Sequence, residues 1–255
     1  MAVTYDLHTV EGYDISALYS GENDEQFESL FKTLKLKQRS WKHMDSVYKI
    51  IKYDKQYLTL DLVKSAGLFR SVIYKNNKIL VFATPKSGAP DTFTSTCLPN
   101  ECSAEEFVEG TMINLFFDES LGDGGQWEIA TRSSVGAKMS YFTSGKPDQQ
   151  STFRQMFLEV CTFAGFDFDM LPPDNCYTFV FQHPNNRIVT PFVQKRLYLV
   201  AGHKINNESF SITEVALDSL RESLGQSSVY FPETYSFETF DELKDKWASQ
   251  NTDYK

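Results

Sequence analysis

The sequence is poor in the two residue types that most often hold metals or build disulfide frameworks. It has four cysteines and four histidines in 255 residues. No Cys-x-x-Cys pair occurs and the histidines form no ligand cluster, which argues against a zinc site. We therefore expect no bound metal, and we expect all four cysteines to be reduced, packed thiols: Cys97, Cys102, Cys161 and Cys176.

Long apolar runs and an excess of positive charge are missing as well. No run approaches the roughly 18 residues of a membrane span, and the N-terminus has no charged-then-apolar signal segment. We therefore expect a cytoplasmic protein that does not contact a membrane. The net charge is −9, whereas nucleic-acid enzymes usually carry a basic surface that neutralises phosphates. This balance disfavours strong RNA binding, although it is compatible with a local basic groove.

Common catalytic signatures are also absent. The sequence contains neither Gly-x-Ser-x-Gly nor a glycine-rich loop that ends in Gly-Lys-Ser/Thr. The acidic pairs Asp118-Glu119 and Asp167-x-Asp169 could hold magnesium, but two acids in a loop are usually just solvated. His183 has no evident partner acid in the sequence, so general-base catalysis by this residue is disfavoured.

Apolar periodicity predicts the elements in the first half of the chain. A helix is predicted over about residues 22–38, and a second amphipathic segment over about 41–51. Alternating apolar residues predict a β-hairpin over 70–83, with its turn at Asn76-Asn77. A glycine-rich turn then joins two further predicted strands, which span residues 112–118 and 127–131.

The second half of the chain contains the clearest helix. It is predicted over about 152–163, with Ser151 as its N-cap and Gly165 at its end. Two helices are predicted near the C-terminus, one starting near Thr213 and one at the Thr239-x-x-Glu242 capping box. Strands are predicted at 177–182, 188–189 and 196–201. Hairpin-like pairs outnumber strand–helix–strand units, so the sequence predicts an α+β fold with mainly antiparallel strands.

The stretch from Glu106 to Asp118 resembles the nucleophile motif of ATP-dependent ligases and capping enzymes. In that motif a lysine, a spacer, an acid and a glycine precede a strand, and the lysine nitrogen attacks the α-phosphate of the nucleotide. Here the acid is Glu109 and the glycine is Gly110, but Phe107 occupies the lysine position. We expect Phe107 to be a core aromatic residue; the alternative is that it caps an apolar adenine pocket.

Three further segments resemble the same superfamily, and in particular its phage-type RNA ligase branch. A hairpin begins at Leu68-Phe69-Arg70-Ser71 and ends at Ala83-Thr84-Pro85-Lys86. The segment 127–133 is similar to a strand that ends in a Thr-Arg pair, and 179–189 contains Asn-Arg-Ile-Val after a proline. The four motifs occur in the family's order, and the resemblance covers roughly residues 70–201.

Three departures from the family pattern coincide. The nucleophilic lysine is replaced by Phe107, and Gln182 stands where the family has a glutamate on its strand. The family's later Glu-Gly strand and final Lys-x-Lys are not recognisable before the last residue. Lys86 and Lys138 are the nearest candidates for a displaced lysine, but neither lies in a Lys-x-acid-Gly setting. Together these departures indicate a degenerate member of the family, as found in large DNA viruses.

The resemblance implies an α+β nucleotidyltransferase fold, the ATP-grasp-like adenylation domain of ligases, with two antiparallel sheets, a cleft and peripheral helices. This domain would span residues 66–255, after an N-terminal helical lead-in at 1–65. The implied nucleotide-binding residues are Arg70, Lys86, Glu109, Gly110, Arg132, Gln182 and Arg187. Plainer alternatives remain open. Arg70, Lys86 and Arg132 would then be three separate surface cations, Glu109 would face solvent, and Arg187 would form a structural salt bridge.

The resemblance leaves three functions open. The leading one is a catalytically inactive RNA-ligase-like protein with a binding or structural role, a virion-associated role included. The alternatives are an ATP-dependent RNA ligase that joins RNA ends through a lysyl-AMP intermediate, and a non-catalytic sensor of nucleotides or RNA ends. The implied partners are nucleotides, RNA ends or other viral proteins, in a host cytoplasm or a virion. ATP and Mg²⁺ are implied as cofactors only if the cleft is functional.

Overall fold

The largest element of the protein is an eight-stranded sheet. We analysed a computed structural model, which describes residues 3–20, 25–140, 151–186 and 191–248. Seven strands of this sheet pair antiparallel in one continuous order, and β15 (Val229–Tyr230) pairs parallel with β13 (Arg196–Asn206). In spatial order, the seven strands are β1 (Thr4–Asp6), β14 (Ser211–Glu214), β13 (Arg196–Asn206), β12 (Asn175–Gln182), β9 (Thr111–Asp118), β10 (Gln126–Thr131) and β11 (Ser134–Val135).

A second sheet of four antiparallel strands packs on one face of the large sheet. Its strands, in spatial order, are β4 (Leu36–His43), β5 (Ser46–Tyr53), β6 (Val72–Lys75) and β7 (Lys78–Phe82). Two short pairs complete the strands of the described residues: β2 (Thr9–Val10) with β3 (Tyr13–Asp14), and β8 (Ala104–Glu105) with β16 (Thr234–Tyr235). The helices are α1 (Ala17–Ser20), α2 (Glu25–Thr33), α3 (Pro90–Thr96), α4 (Phe153–Ala164), α5 (Leu217–Arg221) and α6 (Phe240–Ala248).

Two hydrophobic cores lie on opposite faces of the large sheet. The core between the sheets joins residues of the small sheet, such as Ile50, to residues of the large sheet, such as Phe116. The core on the other face is covered by α4 and α5, and it includes Leu115 and Phe157. Successive residues of a strand point to opposite faces, so neighbours on β9 separate into different cores.

The predicted hairpins around residues 70–83 and 112–131 are confirmed. Asn76 and Asn77 both adopt positive φ, at 49° and 62°, as a two-residue hairpin turn of the type I′ class requires. β9 and β10 pair from Asp118 opposite Gln126 onward, so the glycine-rich segment between them is the predicted turn. The strands predicted at 177–182 and 196–201 are confirmed as parts of β12 and β13, whereas the one at 188–189 lies outside the described residues.

The helical prediction for residues 22–38 and 41–51 is wrong over most of its length. The helix ends at Thr33, Lys35 adopts a positive φ of 55°, and a hairpin follows from Leu36 to Tyr53. Both faces of β5 are covered, because Ile50 and Ile51 are each fully buried. A strand that is buried on both sides shows apolar residues at helix-like spacings, which explains the error. The lead-in at 1–65 is therefore not mainly helical, and β5 pairs directly with β6.

Helix caps decide the remaining boundaries. Thr152, and not Ser151 as predicted, caps α4 through a reciprocal capping box with Gln155. Gly165 ends this helix at a φ of 64°, as predicted. The residues around Thr213 form strand β14 and not a helix, because they pair with β13, and α5 begins only at Leu217.

The chain is thus an α+β protein with several antiparallel sheets and few helices. Cys161 and Cys176 are buried, and burial raises the pKa of the Cys176 thiol to about 12. Cys97 and Cys102 are only half-buried, and all four thiols are free. Among the described residues, no helix is both long enough and apolar enough to cross a bilayer.

Candidate functional site

The face of the large sheet that meets the small sheet extends beyond the core that the two sheets share. Antiparallel register aligns Met112 of β9, Val180 of β12 and Tyr198 of β13 in one row across the sheet. Val180 and Tyr198 pack with Val108 in a cluster that is separate from the core between the sheets. We call Met112, Val180 and Tyr198 the apolar floor; Val180 and Tyr198 are buried and Met112 is half-buried.

The Glu109-Gly110 turn lies directly against the apolar floor. Gly110 has a φ of 148°, and a Cβ atom there would lie 2.6 Å from the Phe181 carbonyl oxygen and 2.7 Å from a Val180 methyl carbon. Only glycine fits this close backbone approach. The Gln182 side-chain amide donates to the Glu109 carbonyl at 2.8 Å. A carboxylate at position 182 could not donate this bond and would repel the carbonyl oxygen.

Phe107 lies at the rim of this turn and not in the core. Its side chain is 90% exposed, so the prediction that it is a core aromatic residue is wrong. The next residue, Val108, supplies the buried contact to the apolar floor in its place. Adjacent residues of an extended segment point in opposite directions, so burial of Val108 turns Phe107 outward. Glu109 is exposed, in agreement with the solvent-facing alternative.

The second predicted group consists of Arg70, Lys86 and Arg132, and the backbone before β6 connects all three. The Arg132 Nε donates to the Arg70 carbonyl at 3.1 Å, and its guanidinium lies 4.9 Å above the Tyr53 ring. The Lys86 backbone nitrogen donates to Gly67, three residues before Arg70, at 3.0 Å. The exposed Lys86 amine bonds locally to the carbonyl oxygen of the next residue at 2.9 Å. These cations therefore share one region of the molecule.

Three further cations join Arg132, and sequence reasoning missed all of them. Lys37 and Lys52 are directly opposite on β4 and β5, and Arg39 lies two residues further along the same face of β4. The Lys52 amine donates to Ser133 of the large sheet at 2.9 Å, so this face points towards the large sheet. We call Lys37, Arg39, Lys52 and Arg132 the cationic strip. Its alternating positions could have been recognised if residues 36–43 had been assigned as a strand.

The strip carries mutually repelling charges. Burial lowers the pKa of the Lys52 amine, and the neighbouring charges lower it further, with Arg132 and Arg39 ahead of Lys37. Within the described residues, Lys37 is the strip member that forms an ion pair, at 2.6 Å from Asp54. The remaining positive charge is available to an anion.

Polar groups between the sheets are, by contrast, mostly paired with each other. Glu128 is buried and binds both His43 of the small sheet, at 2.8 Å, and Arg154 of α4. This arrangement fastens the two sheets and the helix together. Asn114 differs, because its Nδ2 atom has no partner among the described residues, and it lies two residues from Met112 on the same face of β9.

The acids and the histidine that the sequence offered for metal binding or catalysis have structural partners. Asp118 accepts from Tyr48 at 2.7 Å and pairs with Lys75 at 3.0 Å; burial would raise its pKa, but hydrogen bonds from Ser120, Tyr48 and Lys75 lower it. Glu119 pairs with Lys78. Among the residues described, no group of three potential metal ligands is found.

His183 does have a partner acid, which the sequence did not reveal. Its Nδ1 accepts from the Asn185 backbone N–H at 3.1 Å, so its Nε2 carries the proton and donates to Glu159. Glu159 also binds Lys195, and the bonds from Lys195 and His183 lower the pKa of this carboxyl. Glu159 comes from α4, 24 residues earlier in the sequence. The arrangement fixes residues 183–186 after β12, and Arg187 lies outside the described residues.

Comparison with known proteins finds a distant relative. The chain is 26% identical, over 141 residues, to an RNA ligase of Rhodothermus phage RM378. The match covers 52% of this chain and 31% of the phage protein, so the chain spans about a third of that relative's length. No protein-family model matches the chain. Over about half its length, the chain is thus similar to a phage RNA ligase.

Proposed function

We propose that this is an RNA-ligase-like protein that binds a nucleotide or an RNA end without forming a covalent adduct. The observation that carries the proposal is the Glu109-Gly110 turn, whose close backbone approach is intact while its lysine position holds the exposed Phe107. Val180 and Gln182 contact the turn through their side chains, and neither can attack phosphorus. The distant similarity to a phage RNA ligase supports the ligase-like part of the proposal.

The proposal includes the nucleotidyltransferase fold, with the apolar floor beneath the base and the cations around the phosphates. We propose that this domain begins before residue 66, because β4 and β5 lie in the same sheet as β6 and β7. Arg70, Lys86 and Arg132 are suited to this task because guanidinium groups bind phosphate oxygens in pairs and lysine adds a point charge. Glu109, Gly110 and Gln182 at the turn remain candidate contacts, and Arg187 remains a candidate from the sequence alone. ATP with Mg²⁺ is the expected nucleotide. A structural or virion-associated role would use the same binding surface for a partner.

Calorimetric titration with ATP and Mg²⁺ tests the binding part of this proposal. We expect Arg70→Ala and Lys86→Ala each to weaken ATP binding by about 1–3 kcal/mol, as is typical of lost hydrogen bonds to charged groups. Lys204→Ala, an exposed surface cation that faces Asp174 at 3.5 Å, is the control and should bind like the wild type. Unchanged affinity in both Arg70→Ala and Lys86→Ala would exclude these cations from nucleotide binding.

One observation favours a second candidate, an active RNA ligase with a displaced lysine. Burial and the neighbouring cations, Arg132 first among them, lower the pKa of the Lys52 amine, which favours its nucleophilic neutral form. Attack of this amine on the α-phosphate of ATP would form a P–N phosphoramidate bond and break the bond between the α-phosphorus and the bridging oxygen, which releases pyrophosphate. The amine proton would pass to solvent. Incubation with Mg²⁺ and α-labelled ATP, followed by denaturing electrophoresis, tests this. A labelled band that disappears in Lys52→Arg would establish this second function, and a band that persists there but disappears in Lys86→Arg or Lys138→Arg would assign another lysine.

A further inference from the structure

The cationic strip stands out against the charge of the whole protein. The chain carries a net charge of −9. Nevertheless, Arg132, Arg39 and Lys37 lie close enough to Lys52 to lower the pKa of its amine. Clustered cations raise the free energy of a folded protein unless an anion compensates them. Asp54 compensates one of the four. The strip therefore carries uncompensated positive charge that an anionic ligand can neutralise.

The two arginines of the strip are held in place before any ligand arrives. The Arg39 guanidinium lies 4.7 Å from the Trp41 ring, and Trp41 is itself anchored by a bond from its indole nitrogen to the Val135 carbonyl at 2.9 Å. The Arg132 guanidinium lies over Tyr53 and bonds to the Arg70 carbonyl. Stacking on aromatic rings fixes the planes of both guanidinium groups and reduces the entropy lost on binding.

The spacing of the strip suits a repeating anion. Lys37 and Arg39 are two residues apart on one strand face, which corresponds to about 7 Å. Successive phosphates of an extended nucleic-acid strand are separated by a comparable distance. The strip also runs from the edge strand β4 towards Arg132, which follows β10 beside the apolar floor. Together the four cations form a narrow patch across β4, β5 and the turn after β10, which matches the one phosphate backbone of a single strand.

We infer that the cationic strip binds the phosphate backbone of a single-stranded nucleic acid. The inference rests on the proposed function in that it names the ligand class of the neighbouring surface. The strip leads the strand towards the apolar floor and the Glu109-Gly110 turn, where an RNA end would be held. Backbone contacts of this kind are independent of sequence and depend strongly on salt.

Fluorescence anisotropy with a labelled single-stranded RNA of about 20 nucleotides tests the inference, without ATP, between about 50 and 200 mM salt. We expect Arg39→Gln and Lys52→Gln each to weaken binding about three- to tenfold. Each should also reduce the slope of log affinity against log salt by about 0.7, the value for one phosphate contact on a single strand. Lys42→Gln is the matched control, because Lys42 lies on β4 but points to the opposite face.

Three results would overturn the inference: no RNA binding by the wild type at low salt, equal losses in Lys42→Gln and Arg39→Gln, or tighter binding of a duplex than of the single strand. Urea denaturation of each variant shows whether a loss of binding reflects a loss of folding. Failure of the inference is separable from failure of the proposed function. A covalent AMP adduct would refute the inactive assignment, but the RNA titration is done without ATP and would still measure strip binding. RNA binding that does not depend on the strip residues would leave the adduct result unaffected.

Discussion

Charged residues are arranged differently in two parts of the region where the small sheet meets the large sheet. In the part covered by the small sheet, polar groups neutralise one another: Glu128 binds both His43 and Arg154. In the part at the edge of the small sheet, cations from β4, β5 and the turn after β10 gather around Lys52, and one of them has an acid partner. Paired charges stabilise a structure, whereas clustered like charges lower its stability unless a ligand of opposite charge neutralises them. The contrast separates residues that maintain the fold from residues that we assign to binding.

Removal of the charge that joins the two sheets should have the largest effect. We expect Glu128→Gln to lower the free energy of unfolding by about 3 kcal/mol, because it leaves His43 and Arg154 without their shared buried carboxylate. Urea denaturation measures the loss. Glu119→Gln breaks an exposed pair with Lys78 and should change the free energy of unfolding by less than about 0.5 kcal/mol. Equal effects of the two variants would show that the covered part is not fastened by Glu128.

The Glu109-Gly110 turn should be almost as sensitive. We expect Gly110→Ala to lower the free energy of unfolding by about 2–3 kcal/mol, because the new Cβ would meet the Phe181 carbonyl and because φ lies at 148°. The matched control is Gly88→Ala, whose Cβ would meet nothing within 4 Å and which should change stability by less than about 0.5 kcal/mol. A stable Gly110→Ala protein would mean that the turn does not need glycine.

A buried histidine should make the covered part sensitive to acid. His203 is fully buried beside Phe82, and burial lowers its pKa from 6.5 to about 4. Because the folded pKa is depressed, the unfolded chain takes up the proton first as the pH falls below 6.5. Between pH 7 and 5 the protein should therefore lose about 2 kcal/mol of stability through this residue.

Urea denaturation at the two pH values measures this loss against a matched pair of variants. His203→Gln should lack this part of the pH dependence, whereas His8→Gln, which alters an exposed histidine, should retain it. If His203→Gln and the wild type lost stability equally between pH 7 and 5, the depressed pKa would not govern the acid response.

The smallest effect is expected where the sequence suggested a core residue. Phe107→Ala should change the free energy of unfolding by less than about 0.5 kcal/mol, because the side chain is 90% exposed. Phe116→Ala, which removes a fully buried ring from the core between the sheets, should cost about 3–5 kcal/mol. A large loss in Phe107→Ala would instead show that its ring packs against the turn.

Local signals in the sequence were enough for some elements and not for others. The hairpin at Asn76-Asn77 and the helix that ends at Gly165 were predictable, because turns and caps depend on a few adjacent residues. The β4–β5 hairpin was not, because burial of Ile50 and Ile51 on opposite faces imitates helical spacing. With that hairpin misassigned, Lys37, Arg39 and Lys52 could not be recognised as neighbours on one face of the sheet.

The candidate site shows the same division. The close approach at Gly110 could be anticipated from the motif, because only glycine tolerates such a backbone contact. The outward orientation of Phe107 could not, since it depends on the burial of Val108 against Val180 and Tyr198 from distant strands. The link between His183 and Glu159 was equally hidden, because it forms only when α4 packs on the sheet.

The most direct test of the central claim is the intact mass of the purified protein after incubation with ATP and Mg²⁺. We propose that the turn keeps its ligase-like backbone but has no nucleophile, so the account predicts an unchanged mass beside an RNA ligase control that gains one AMP group. A gain of one AMP group, lost again in a single lysine variant, would contradict the account and show that the protein is a covalent nucleotidyltransferase.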